Sequence, residues 1–398
     1  MKYIMVVIAG AADQPETDLG EKTPFEIAKI PNLNYFSKIG KIGQVKLTSE
    51  RLDTSADITF LNSLGYNADK VYTGRGPLEA ANLELKLEEN EVAFRMNFIT
   101  EANGVLADPT GGNISTKEAR ALINYLNKRV ASGFVRFYPS SKYRHIAVLK
   151  DSHGYEALSA RTTSPENIVG EKLDTHFPKG PGEELLKKLM FDAKLLLQDH
   201  EINQVRVDLR ENPANMIWLW GQGSRPNLPL FKDRFGLSGS VISAVDLVNG
   251  IGRLAGLHIV SVPGATGYYD TNYKGKAEYA LESLKKHDFV YVHVEATDEA
   301  GHNGDWKAKT ECCERFDKEV VGTILKVYKN SADVRILVAP DHPTPVGKRT
   351  HVHAPVPFII WGKGIATNGA GEYSETAASK IGLKFKSGED MVRSLFRQ

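Results

Sequence analysis

Short apolar runs rich in Val and Ile recur along this chain, and amphipathic stretches separate several of them. Residues 3–8, 205–209, 216–220, 240–244, 258–261, 289–294, 334–339 and 357–361 each read as a buried strand. Segments 247–256, 279–286 and 312–327 carry apolar positions near helical spacing and read as helices between them. Strands without polar alternation must be covered on both faces. The alternation therefore predicts an α/β fold, a mostly parallel sheet flanked by helices. Sites in such sheets lie at the carboxyl ends of the strands.

Residues from about 110 to 205 read differently. Ser115-Thr-Lys-Glu118 is a capping box opening a helix, and 134–138 with 143–149 reads as a strand pair around the turn signal Pro139-Ser-Ser-Lys142. The Gly/Pro-rich stretch 178–182 precedes a second helix over 183–200. The expected organisation is a core from 1–110 and 206–398, with a smaller α+β domain inserted at 111–205.

The chain's 398 residues, 41% of them hydrophobic, can bury a core of that size. Lys+Arg total 50 against 49 Asp+Glu, for a net charge of +1, which argues against a general nucleic-acid or anionic-membrane binder. No run approaches the roughly 20 apolar residues of a membrane span. Lys2 followed by 3–8 and Ala9-Gly-Ala-Ala12 has the outline of a weak signal peptide, but a short β-branched run stopped by Gly10 reads better as a first strand. The two cysteines, Cys312 and Cys313, are adjacent, and neighbours on a helix do not meet disulfide geometry. A reduced, cytoplasmic protein is expected.

Three clusters of metal-ligand residue types stand at or beside predicted strands. The first is Glu295-Ala-Thr-Asp298-Glu-Ala-Gly-His302, in which Asp298 and His302 share one face of a helical turn. The second is Pro340-Asp341-His342-Pro-Thr-Pro345, and the third is Arg349-Thr-His351-Val-His353. Each alone is an ordinary surface pair or turn. Together they predict a divalent-metal site whose mixed nitrogen and oxygen ligands suit Mn or Zn, and Mg less well.

These clusters occur beside longer motifs: Tyr72-Thr-Gly-Arg-Gly-Pro-Leu-Glu-Ala-Ala81, Ile217-Trp-Leu-Trp-Gly-Gln-Gly223, Pro263-Gly-Ala-Thr-Gly-Tyr268 and His293-Val-Glu-Ala-Thr-Asp-Glu-Ala-Gly-His302. In them the chain resembles the archaeal-type cofactor-independent phosphoglycerate mutases of the alkaline phosphatase superfamily, from Tyr3 through Trp361. The resemblance implies an alkaline-phosphatase-like core with an inserted domain that closes over substrate. It implies a two-metal enzyme interconverting 2-phosphoglycerate and 3-phosphoglycerate through a phosphoserine, without 2,3-bisphosphoglycerate. The partner implied is a small phosphorylated metabolite, and the cation Mn or Zn, with Co or Mg as substitutes.

Carried over by motif, the resemblance assigns one metal to Asp298, His302 and His351, and the other to Asp341 and His342. The second metal's further ligands are absent. The family's N-terminal Asp falls on Ala9, and its nucleophilic Ser, aligned without a gap, falls on Ala56. Ser55, or a hydroxyl nearby such as Thr54, is then the expected nucleophile, displaced by one residue. Arg75 and Arg95 stand in family positions near substrate, with Arg144 and Lys276 as weaker candidates. Guanidinium suits phosphate or carboxylate through two parallel hydrogen bonds. The family's Asp-Pro-His acid/base segment of the insert has as its nearest counterpart Asp174-Thr-His176-Phe-Pro178, which leaves the acid/base assignment open. The expectation is a mutase with a damaged second site. The alternatives are a catalytically degenerate paralogue that binds metal and ligand, and phosphotransfer to another hydroxylated acceptor.

Overall fold

The computed structural model describes residues 1–53, 55–150 and 156–396. Its opening strand, Lys2–Ile8, is buried from Tyr3 onward. It lies parallel between Phe289–Val294 and Val334–Ala339, which are themselves buried throughout. Because these three run the same way in register, the segments after Ile8, Val294 and Ala339 leave the sheet at one edge. Eight strands form this sheet, in the order Lys384–Phe385, Lys41–Val45, Val356–Gly362, Val334–Ala339, Lys2–Ile8, Phe289–Val294, Gly239–Ile242, His258–Ile259. Only Val356–Gly362 runs antiparallel to its neighbours. The apolar faces of helices Pro31–Ile39, Tyr273–Ser283 and Gly322–Tyr328 join one core with the central strands. The mostly parallel sheet flanked by helices is therefore present, with one strand reversed.

The chain divides into two compact units, Met1–Tyr72 with Leu228 onward, and Thr73–Asn227. The smaller unit is an antiparallel sheet centred on the long strand Glu91–Ala102. Arg144–Lys150 and Met216–Gly223 flank that strand, and Val135–Pro139 pairs with Arg144–Lys150. Helices Thr116–Arg129 and Glu183–Leu197 cover it with Leu122, Leu126, Leu186 and Met190. The capping box at Ser115 and Glu118 forms as expected.

Two local expectations are corrected. Residues 205–209 are not a strand: helix Glu201–Asp208 starts where the His200 ring accepts the Ile202 N–H. The alternating valines mislead because the polar residues point inward. Asn203 and Arg206 are buried while Val205 and Val207 are exposed. Arg206 is held inside by the Asn212 and Gly112 carbonyls and by Glu118. The run at 216–220 is a strand, but it belongs to the smaller sheet. That sheet also takes Glu91–Ala102, which the expected boundary at residue 110 had placed with the core. Cys312 and Cys313 are buried and reduced. Among the described residues, no helix is long and apolar enough to cross a membrane.

Candidate functional site

The segments that leave the large sheet after Val294 and after Ala339 bring the Asp/His clusters together. After Val294 the chain turns into helix Ala296–Asn303, with Asp298 in its first turn and His302 in its last. His302 Nε2 stands 3.4 Å from Asp298 Oδ2 and 3.1 Å from His351 Nε2. His351 Nε2 is in turn 3.4 Å from Asp298 Oδ1. From the neighbouring strand end, His342 lies against His351 with ring centroids 4.0 Å apart and the rings tilted by 32°, and its Nδ1 is 3.8 Å from Asp298 Oδ1. Ligand-type atoms of Asp298, His342 and His351 lie within 4.8 Å of one another. Two glycines permit this crowding. A Cβ on Gly10, whose φ is +62°, would overlap Asp298, and one on Gly301 would overlap the Thr344 carbonyl.

The charges agree with a cation site. Burial opposes ionisation of Asp298, yet the imidazoles of His342, His302 and His351 hold its carboxyl well below the usual range. The hydrogen bond to that carboxylate pushes His302 up to about 9, so without an ion a proton sits between the ligands. The Arg349 carbonyl can only accept, so His302 Nδ1 is a donor and Nε2 is the atom turned to the cluster. Burial, with Asp298 nearby, pushes Asp341 up to about 7, and burial pushes His342 down to about 3. Asp341 Oδ2 and His342 Nε2 are buried with no hydrogen-bond partner. Unpaired buried acceptors are costly, and a divalent ion satisfies both, so these residues fit the expected metal.

The other expected half is sparse. Ala9 is buried and offers only backbone, its N–H bonded to Val294 O and its carbonyl to Thr297 Oγ1. Asp13, four residues on, is paired elsewhere: Lys309 Nζ lies 2.6 Å from its Oδ2, and both are buried. Ser55 is the N-cap of helix Ala56–Ser63, but its hydroxyl does not cap it and instead donates to Asp53 O at 3.4 Å. Ala56 opens that helix, and Thr54 lies outside the described residues. Lys276 is fully buried, its Nζ donating to the His293 carbonyl, and burial lowers it to about 8. That ammonium faces inward, toward Glu295.

The metal-ligand spacings in the sequence do not single out Glu295 or His293, and both belong to this region. His293 Nε2 is 3.3 Å from Glu295 Oε2, and burial together with Asp298 and Asp341 raises Glu295 well above the carboxylate range. Thr344 was also missed. It stands two residues beyond His342, a spacing that could have flagged it.

The smaller unit holds the arginines. Arg75 Nε donates to Glu79 Oε1 at 2.7 Å, and Arg95 Nη1 donates to the same oxygen. Both guanidiniums lie 5.6 Å from the Trp220 ring centroid, and Arg95 Nε and Trp220 Nε1 share Asn97 Oδ1. Arg95 is 2% exposed, so it positions its neighbours rather than meeting a ligand. Arg75 is partly exposed, and Arg144 is exposed over Tyr143. His176 pairs with Glu171 at 2.6 Å.

A family model described as 2,3-bisphosphoglycerate-independent phosphoglycerate mutase matches residues 37–203. The chain is 42% identical over 396 residues to the protein of that name from Methanothrix thermoacetophila, covering 99% of each. It is 41% identical over 393 residues to a probable enzyme of the same name from Geobacter sulfurreducens, covering 98% of each. Among solved structures, one from Pyrococcus horikoshii superposes with TM-score 0.84 at 29% identity, over 99% of this chain and 97% of that one. The cofactor-independent phosphoglycerate mutase of Thermoplasma acidophilum shares the fold, with TM-score 0.66 at 24% identity over 99% of each chain.

Proposed function

This chain belongs to the 2,3-bisphosphoglycerate-independent phosphoglycerate mutase family, and on that premise we propose that it interconverts 2-phosphoglycerate and 3-phosphoglycerate by metal-dependent phosphotransfer. The convergence of Asp298, from the segment after Val294, with His342 and His351, from the segment after Ala339, carries the reading. In it, Asp298, His302 and His351 hold one divalent ion, and Asp341 and His342 contribute to a second position. Mn or Zn suits this nitrogen-and-oxygen set best, with Co or Mg as substitutes. A bound ion would lower the pKa of a nearby hydroxyl and neutralise phosphoryl oxygens.

The chain's own groups do the rest. Ser55 is the proposed phosphoryl acceptor. The observation in its favour is a hydroxyl not spent on capping its helix, next to first-turn amides that suit a phosphate. Arg75 and Arg144 bind the anionic groups of the substrate, and Glu79 fixes Arg75 in place with Arg95 behind it. The buried Lys276 supplies positive charge at the strand end. No 2,3-bisphosphoglycerate is required on this reading, and the setting is cytoplasmic.

A second reading rests on Ala9 and Ala56, which supply neither ligand nor nucleophile. It makes the chain a degenerate paralogue that binds an ion and a phosphorylated metabolite without turnover. A coupled mutase assay on metal-stripped protein, titrated with Mn, Zn, Co and Mg beside Ser55→Ala, separates the two. Metal-dependent turnover lost in the variant establishes the mutase with a displaced nucleophile. Folded protein that binds an ion and turns over nothing establishes the paralogue.

A further inference from the structure

We propose that Thr344 is a positioning residue of the metal centre, fixing His342 in the tautomer that presents Nε2 to a cation while tethering Asp298. The inference rests on the metal-site reading above and follows from counting hydrogens. Thr344 Oγ1 touches two ligand residues: it donates to Asp298 Oδ1 and lies 3.1 Å from His342 Nδ1. An ionised carboxylate only accepts, so the single hydroxyl proton is committed to Asp298. His342 Nδ1 must then be the donor to Oγ1. A neutral imidazole carries one N–H, which leaves the lone pair on Nε2, the atom that is buried without a partner.

The threonine itself is clamped. Its N–H donates to Ala12 O at 3.2 Å, and Lys309 Nζ donates to its carbonyl at 2.8 Å. Gly301, one residue before His302, gives up its side chain to the Thr344 carbonyl and methyl. One residue thus couples the ligand that follows Val294 to the ligand that follows Ala339. Hydroxyl, amide and methyl contacts are all used, which explains a β-branched hydroxyl residue at this place. Outer partners of this kind orient metal-bound histidines and typically change affinity by roughly 10–100-fold when removed.

The test has two readouts, neither of them turnover. Side-chain 15N shifts of His342 in metal-stripped wild-type protein report which ring nitrogen carries the proton. Calorimetric titration with Mn2+ alone reports affinity for wild type, Thr344→Val and Thr344→Ser. The expected result is a protonated Nδ1 and an unprotonated Nε2. Thr344→Val should lose about 10–100-fold in Mn2+ affinity, with most of it regained in Thr344→Ser. A proton on Nε2 overturns the proposal, and so does Thr344→Val binding Mn2+ as tightly as wild type. The wild-type shifts decide the tautomer even if the valine variant does not fold. A wild type that binds no divalent ion, with the proton on Nδ1 as expected, removes the metal reading and the positioning role together.

Discussion

The two halves of the candidate centre have met different fates in one framework. Around Asp298, His302 and His351, the ligand-type atoms lie within hydrogen-bond or ion-pair range of one another, and the Asp298 carboxylate pushes His302 up to about 9. Around Asp341 and His342, two such atoms are buried with no partner, while Ala9 and Ala56 stand where the family resemblance leads one to expect Asp and Ser. The strands beneath are the same three parallel neighbours. What separates the halves is therefore side-chain supply and not scaffold geometry. A buried acceptor left unpaired costs about 1–3 kcal/mol. Asp341 and His342 would be poor residues to keep unless a ligand compensates them, or unless His342 now serves the intact half, as its proximity to Asp298 and His351 permits.

The largest effect should come from the intact half. Asp298→Asn is expected to abolish ion binding, because one carboxylate touches three histidines. Asp341→Asn should weaken binding far less, by roughly tenfold or under. Equal losses measured by calorimetry would break the comparison and make the sparse half a working ligand set. Next in size is repair. Ala9→Asp with Ala56→Ser should raise mutase turnover by orders of magnitude if the second half merely lacks these groups, and an unchanged rate in the folded double variant sinks that account. A smaller effect is expected for Gly301→Ala, which forces the Thr344 loop away from the helix. Overpacking of this kind costs about 1–3 kcal/mol, read as a lower unfolding midpoint together with weaker Mn2+ binding. A midpoint and affinity equal to wild type would show that the loop yields freely.

Much of this was legible in the sequence, and the gaps have physical causes. Buried parallel strands write themselves as unbroken apolar runs, so 289–294 and 334–339 were readable to the residue. The clusters that follow them were readable because such strands deliver their next residues to one edge. Glu91–Ala102 escaped because Arg95 and Asn97 interrupt its apolar character. Both are buried through partners far off in sequence, Glu79 and Trp220 among them, which no local pattern announces. Helix Glu201–Asp208 was misread for the converse reason, since its valines face outward. Ligand residue types could be chosen from sequence. How closely His342 approaches Asp298 could not be read, because that approach depends on Gly10, Gly301 and Thr344 packing across the strand ends.

The smallest predicted effect is a pH dependence to which His302 of the intact half contributes. His302 rises from 6.5 to about 9 in the folded chain, so its protonated form contributes stability that is complete below about pH 6.5 and is lost as pH climbs through about 9. Asp341, raised to about 7, loses its contribution at lower pH, as does Glu375, which burial also raises to about 7. Lys276 works in the opposite sense. It is depressed to about 8, and its burden is relieved only as pH rises from there toward 10.5. Between pH 7 and 8 His302 and the raised carboxyls Glu295, Asp341 and Glu375 all act in the same sense, and the unfolding midpoint of metal-stripped protein should fall as pH rises. Saturating Mn2+ should flatten or reverse that slope, since the ion takes the proton's place and binds more tightly as ligands deprotonate. His302→Asn should reduce the slope in the stripped protein, and its midpoint should converge on that of wild type only above about pH 9. A stripped wild type that grows more stable across this interval would mean that the proton is not held between Asp298 and His302. The two halves would then no longer differ in the way their hydrogen bonds imply.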